Sequence, residues 1–93
     1  MSKKNISTHL YILQCGNRFK IGVTNNIEKR LASLQTGNAE VIQLVHIEER
    51  KNPTKAEKYL HRCFQKNRLK GEWFEGISLK DIRIKLLLYF DQD

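Results

Sequence analysis

No stretch of this sequence stays apolar over the roughly 20 residues that a membrane-spanning helix needs. The opening residues, Met1-Ser2-Lys3-Lys4-Asn5, have no apolar run behind them, so no export signal is expected. Cysteine is scarce: Cys15 and Cys63 are the only two of the 93 residues. They lack the paired spacing of a zinc site and form no Cys-x-x-Cys motif, which excludes a zinc ribbon and dithiol redox chemistry. Without an export signal, two reduced thiols in a cytoplasm are expected rather than a disulfide. Repeats, linkers and low-complexity tracts are missing as well. A chain of this length, 40% hydrophobic and 29% charged, is expected to fold as one domain, residues 1–93, around a modest core.

Acidic residues are the next shortage. Ten Asp and Glu face seventeen Lys and Arg, a net charge of +7, which suits a polyanionic partner. The imbalance is concentrated. Between Arg50 and Lys70 the basic residues are Arg50, Lys51, Lys55, Lys58, Arg62, Lys66, Arg68 and Lys70, and Glu57 is the only acid.

Alternation predicts a short strand around Leu10–Leu13. A turn follows at Cys15-Gly16-Asn17, then a second strand with Phe19, Ile21 and Val23 on one face and Lys20, Gly22 and Thr24 on the other. That hairpin places Tyr11 and Lys20 together on the face turned from the core. Asn25 with Glu28 predicts a capping box opening a helix with the stripe Ile27, Leu31, Leu34, closed by Gly37. Val41–Ile47 reads as a third strand. Asn52-Pro53 breaks the chain, and Thr54 is expected to cap a second helix reaching about Leu69. Gly71-Glu72-Trp73-Phe74-Glu75-Gly76 is a short aromatic segment. Ser78 and Asp81 cap a last helix running to near Tyr89, within about 78–90. The predicted class is α+β: a small three-stranded antiparallel sheet with flanking helices, in the order ββαβαα.

At ~100° per residue, Ala56, Leu60, Cys63 and Phe64 form the buried face of the second helix. Lys55, Lys58, Arg62 and Lys66 form a basic stripe opposite, with Glu57 and His61 on the border between the two. Arg30 lies at the edge of its own helix's apolar stripe. Each has a plain structural reading. Thr54 and Glu57 have capping-box spacing, His61 fits an ordinary border histidine, Arg30 a surface charge, Tyr11 strand packing, and the stripe solubility. On the last helix Leu79, Ile82, Leu86 and Phe90 share the core-facing side. Ile84 and Leu88 project opposite, where a weak homodimer contact or cover from another segment is expected.

Order and spacing add a resemblance. Leu10-Tyr11-Ile12, then Lys20-Ile21-Gly22-Val23-Thr24-Asn25, then Lys29-Arg30-Leu31 resembles the GIY-YIG nuclease signature, with Arg30 eight residues after Gly22. It is most similar to a phage and bacterial branch reading KIG, with an LQTGN-like turn, an E-x-x-x-H helix and a GEWF motif. These are matched here by Leu34-Gln35-Thr36-Gly37-Asn38, by Glu57 with His61, and by Gly71-Glu72-Trp73-Phe74, so that the resemblance covers about 9–75. It departs in having His9 and Leu10 before Tyr11, Lys20 in place of the second tyrosine, and no asparagine match after Trp73.

The resemblance implies a metal-dependent DNA endonuclease of a bacterium or a phage-infected cell. Glu57 would hold Mg²⁺ or Mn²⁺ and Arg30 would clamp phosphate oxygens. Tyr11, biased toward phenolate by Lys20, would orient or deprotonate water, and His61 would relay a proton or orient water. Lys55, Lys58, Arg62, Lys66 and Arg68 would track the nucleic-acid backbone without reading sequence. A partner protein would then supply specificity. The missing second tyrosine keeps open an inactive DNA- or RNA-binding module on the same scaffold. A third class is a phage-encoded regulatory domain whose basic face meets an acidic protein.

Overall fold

The hairpin forms where alternation predicts it. In the computed structural model, which describes residues 7–89, strands β1 (His9–Cys15) and β2 (Arg18–Thr24) pair antiparallel, with Tyr11 opposite Gly22 and Ile12 opposite Ile21. Gly16 and Asn17 make the two-residue turn. The φ of +63° at Gly16 supplies the positive first angle that such a turn requires and that a side chain would strain.

The remaining elements are α1 (Ile27–Thr36), β3 (Gln43–Glu49), α2 (Pro53–Cys63), a 3₁₀ turn (Gln65–Asn67), β4 (Trp73–Glu75) and α3 (Leu79–Leu87). The α+β class stands, but the sheet has four strands, in the order β3-β1-β2-β4, not three. The added strand is the aromatic segment. After the 3₁₀ turn the chain reverses around Gly71, with Leu69 N–H donating to the Trp73 carbonyl at 2.7 Å, and Trp73–Glu75 pairs with Arg18–Lys20. Three residues are too few to show a period, which is why this strand is invisible to pattern reading.

Period-two geometry divides the hairpin between two cores. Leu10, Ile12, Phe19 and Ile21 point to one face and pack with Phe74 against Ala56, Leu60 and Phe64, and against Ile82 and Leu86 of α3. Tyr11, Leu13 and Cys15 point to the other and pack with Ile42 against Ile27, Leu31, Leu34 and Trp73. The face expected to turn away from the core therefore carries a second, smaller core under α1. Tyr11 is only 2% exposed there.

Several boundaries move. Helix α1 is capped by Asn26, whose side chain accepts from the Lys29 amide, not by Asn25. Helix α2 begins at Pro53 with Asn52 in the cap position and no side-chain cap bond, so Thr54 lies inside the helix and caps nothing. It stops at Cys63 instead of near Leu69, because Phe64 turns into the core and an isolated bridge from Arg68 to Phe74 draws the chain back along the sheet. Cys63, expected in the buried face, is exposed in that last turn. Both cysteines are free.

Strand β3 is shifted to Gln43–Glu49, leaving Val41 73% exposed before it. The Ser78–Asp81 capping box is present in full, and α3 ends at Leu87, two residues short of Tyr89. Ile82 and Leu86 are buried and Leu79 partly so, while Phe90 lies outside the described residues. Ile84 and Leu88 are exposed, as is Leu87. Among the described residues no helix is long and apolar enough to cross a membrane.

Candidate functional site

Strand β4 pairs with β2 only as far as Lys20, so the outer edge of β2 is open from Ile21 onward. Helix α2 lies against that edge. His61 Nε2 is 2.8 Å from the Ile21 carbonyl oxygen, and its ring packs on Phe74 with centroids 5.1 Å apart. A carbonyl oxygen only accepts, so this bond holds the imidazole proton on Nε2 and leaves the Nδ1 lone pair free in the neutral ring.

Three further side chains gather at the edge. Glu57 stands one helical turn before His61, and Glu72 comes from the residue preceding β4. One donor atom each of Glu57, His61 and Glu72 lies within 4.8 Å of the other two, and all three residues are half-buried. The Lys20 ammonium is 3.6 Å from Glu72 Oε1 and 5.7 Å from the centroid of the Trp73 ring, which with Glu72 sets its position.

Tyr11 joins the edge from the opposite face of the hairpin. Its hydroxyl lies directly over Gly22: a Cβ there would sit 2.5 Å from the oxygen and 2.6 Å from Cζ. Only glycine lets the phenol pass over β2 and reach the open edge. Burial pushes the Tyr11 hydroxyl above its ordinary range. Arg30 pulls it down, and the charges of Glu72 and Glu57 push it up again. The net shift is upward, so the cationic pull does not offset burial and Tyr11 stays a neutral phenol at neutral pH. Glu57 is also pushed up, first by burial. His61 opposes, Glu72 pushes further, and Lys20 and Lys58 oppose. Two carboxylates facing each other in a half-buried pocket have a mutual repulsion that a bound cation would relieve.

Arg30 is exposed on α1. It lines a groove of about 280 Å³ with Thr24, Asn25, Asn26, Lys29 and Ser33 at the end of β2. Tyr11 is thus the residue on which Arg30, Glu57 and Glu72 all act. Of the predicted residues, the structure gathers Tyr11, Lys20, Glu57 and His61 at one edge, with Arg30 within electrostatic reach. Because α2 starts at Pro53, the capping-box reading of Glu57 is gone. Among the described residues no donor hydrogen-bonds its carboxylate.

The basic residues divide. Lys55, Lys58 and Arg62 are exposed on one face of α2. Lys66 lies past the helix end in the 3₁₀ turn, so the stripe is not continuous. Arg68 lies beyond that turn and donates through Nε to the Gly71 carbonyl at 2.8 Å.

The residue that sequence reasoning missed is Glu72. It stood in the Gly71-Glu72-Trp73-Phe74 motif without a role. Its signal was an acid beside a tryptophan, and only the reversal around Gly71 brings it to Glu57.

Comparison with known proteins corrects the resemblance. Residues 8–85 match the T5orf172 domain, a family different from the GIY-YIG nucleases, and the latter give no match. No curated protein and no solved structure matches. The tripeptides that suggested the other family have a local cause here: a tyrosine on β1 crossing a glycine on β2 needs that pairing whatever the ancestry. The chain belongs to the T5orf172 domain family.

Proposed function

We propose that this domain is a cation-dependent endonuclease that hydrolyses phosphodiester bonds in DNA. The observation that carries the reading is the gathering, at the open edge of β2, of a half-buried carboxylate pair beside an imidazole, a phenol and a lysine. Support from the family is coarser, since T5orf172 is a phage-related domain compatible with nuclease or DNA-binding roles. The net charge of +7 supplies attraction for a polyanion.

In this reading Glu57 holds a divalent cation, Mg²⁺ or Mn²⁺; such an ion stabilises negative charge on a phosphate and its departing oxygen. Arg30, free of any ion pair among the described residues, reaches the non-bridging oxygens as charge builds on them. Tyr11, kept protonated by burial, donates a hydrogen bond that orients the attacking water or a phosphate oxygen. Lys20 contributes positive charge on the same side. Water adds to phosphorus, the bond to the departing oxygen breaks, and the water's proton ends on that oxygen or in solvent. Lys55, Lys58 and Arg62 contact the phosphate backbone, which gives affinity with little sequence preference.

The test is supercoiled plasmid incubated with the protein in Mg²⁺, Mn²⁺ or chelator. Cutting is expected only with a cation, and Glu57→Gln is expected to slow it at least about a hundredfold. DNA affinity should be retained in that variant and should fall steeply with salt. Cation-dependent cutting at the parent rate by Glu57→Gln would overturn the assignment. Salt-sensitive binding without any cutting would make the domain a non-catalytic nucleic-acid binder. That second reading draws on Lys20, whose ion pair with Glu72 partly neutralises the pocket without a metal.

A further inference from the structure

We infer that the cation site is a three-donor one, Glu57, His61 and Glu72, suited to a first-row transition dication such as Mn²⁺ and able to load before DNA arrives. The inference rests on the reading above only in taking Glu57 as a cation ligand.

Glu57 and His61 are four residues apart on α2, which stacks them on one side of the helix. Glu72 comes from a different element, so the set closes only in the folded chain. The three donor atoms lie within 4.8 Å of one another. An octahedral ion with ligands at about 2.1 Å holds adjacent donors roughly 3.0 Å apart and opposite ones roughly 4.2 Å apart, so side-chain rotation has to draw the three donors inward around the ion.

His61 supplies an independent indication. Its Nε2–H is committed to the Ile21 carbonyl at 2.8 Å, the second contact that ordinarily orients a metal-bound histidine. That bond fixes the tautomer and presents Nδ1 as the free donor. The bond is possible because β4 stops at Lys20 and leaves this stretch of the β2 edge unpaired.

The donor set has consequences. One imidazole with two carboxylates favours Mn²⁺, Fe²⁺, Co²⁺ or Zn²⁺ over Mg²⁺, which prefers oxygen ligands and retained water. A single carboxylate would need the substrate phosphate to complete a site, whereas three protein donors do not. Glu72 is shared with the Lys20 ammonium 3.6 Å away. A bound ion competes for that carboxylate and loosens Lys20 for contact with phosphate.

Calorimetry and pulsed electron paramagnetic resonance of Mn²⁺ with the full chain, with and without a DNA duplex, test this. Without DNA, one Mn²⁺ per chain is expected, with Mg²⁺ at least about tenfold weaker. An imidazole-nitrogen coupling should appear in the Mn²⁺ spectrum and vanish in His61→Gln. Glu72→Gln should weaken Mn²⁺ about tenfold or more. The inference is overturned, with the nuclease reading intact, if Mn²⁺ binds only with DNA or without nitrogen coupling while Glu57→Gln still abolishes binding. If the parent binds no cation even on DNA, or Glu57→Gln binds it as the parent does, both readings fall.

Discussion

Glu48 and Glu57 are both half-buried glutamates, one on the outer strand β3 and one beside the open edge of β2, and their surroundings differ in one respect. Glu48 has dedicated partners: His46 Nε2 at 2.8 Å and the Arg50 guanidinium. Burial alone would push its carboxyl up, but the hydrogen bonds of His46 and Arg50, reinforced by charge, hold it below the ordinary range. Burial pushes Glu57 up too, and there Glu72 adds repulsion that His61, Lys20 and Lys58 do not overcome. A carboxylate used for architecture is given donors that fit it. A carboxylate left under-compensated, as Glu57 is, makes the folded protein less stable than it could be, and the cation proposed for that site would gain by relieving it.

The largest expected effect is a crossover between the two positions. Glu57→Gln should lose cleavage at least about a hundredfold while matching or exceeding parental stability at neutral pH, because repulsion with Glu72 is removed. Glu48→Gln should cut DNA normally and unfold about 1 kcal/mol more easily, having lost two charge-assisted bonds in a partly solvated setting. Cleavage assays and urea titrations of both variants check it. A Glu57→Gln protein clearly less stable than the parent would make Glu57 architectural as well, and the contrast would fail.

How much of this was legible follows from how far each signal reaches along the chain. Alternation gave the hairpin and placed Tyr11 and Lys20 together, because strand faces are set by neighbours two residues apart. The Ser78–Asp81 box and the stop at Gly37 were equally local. Adjacent asparagines defeated the cap of α1: Asn25 has the wished-for spacing to Glu28, but Asn26 makes the bond. The end of α2 carries no glycine or proline, so nothing announced the break at Cys63. Glu72, β4 and the Ile21–His61 bond depend on contacts between distant segments, which no periodic pattern encodes. The family was misread because short tripeptides around a tyrosine–glycine crossing describe a geometry before they describe a lineage. The correct family became visible only over the length of residues 8–85.

A smaller effect sharpens the contrast from the other side of the sheet. Gly22→Ala would place a methyl 2.5 Å from the Tyr11 oxygen, so the ring must leave the open edge or the strands must part. Overpacking of this kind costs about 1–3 kcal/mol. Cleavage should fall roughly tenfold beyond any loss of folded protein, since a displaced phenol no longer orients its partner. At Gly37 a methyl would meet nothing within 4 Å, so alanine there should change neither measurement by much. If Gly22→Ala cuts at the parental rate per folded molecule, Tyr11 belongs to the packing of the second core and not to the site.

The smallest effect, and the most direct comparison of the two glutamates, is in acid. Glu57 has a folded pKa raised above its unfolded value, near 4.5. Its stabilising contribution is fully present below that value and is lost as pH rises through the folded pKa. Acidification from neutral therefore restores stability through Glu57 in the window just above 4.5. Glu48 has a folded pKa lowered from the same value. Its contribution is present above the unfolded pKa and is lost as pH falls through the folded one, so its window lies below 4.5. In the parent the two slopes follow one another on the way down. Urea midpoints measured in metal-free buffer from about pH 6.5 to 3.5, a span bracketing both windows, separate them. Glu57→Gln should lack the gain above 4.5 and keep the acid loss, whereas Glu48→Gln should keep the gain and show a weakened acid loss. Saturating Mn²⁺ should reverse the parental slope in the upper window, because bound metal requires ionised carboxylates and protons then compete with it. Parallel curves for the two variants would show that their environments differ in geometry alone, with no difference in how strongly the fold holds each charge.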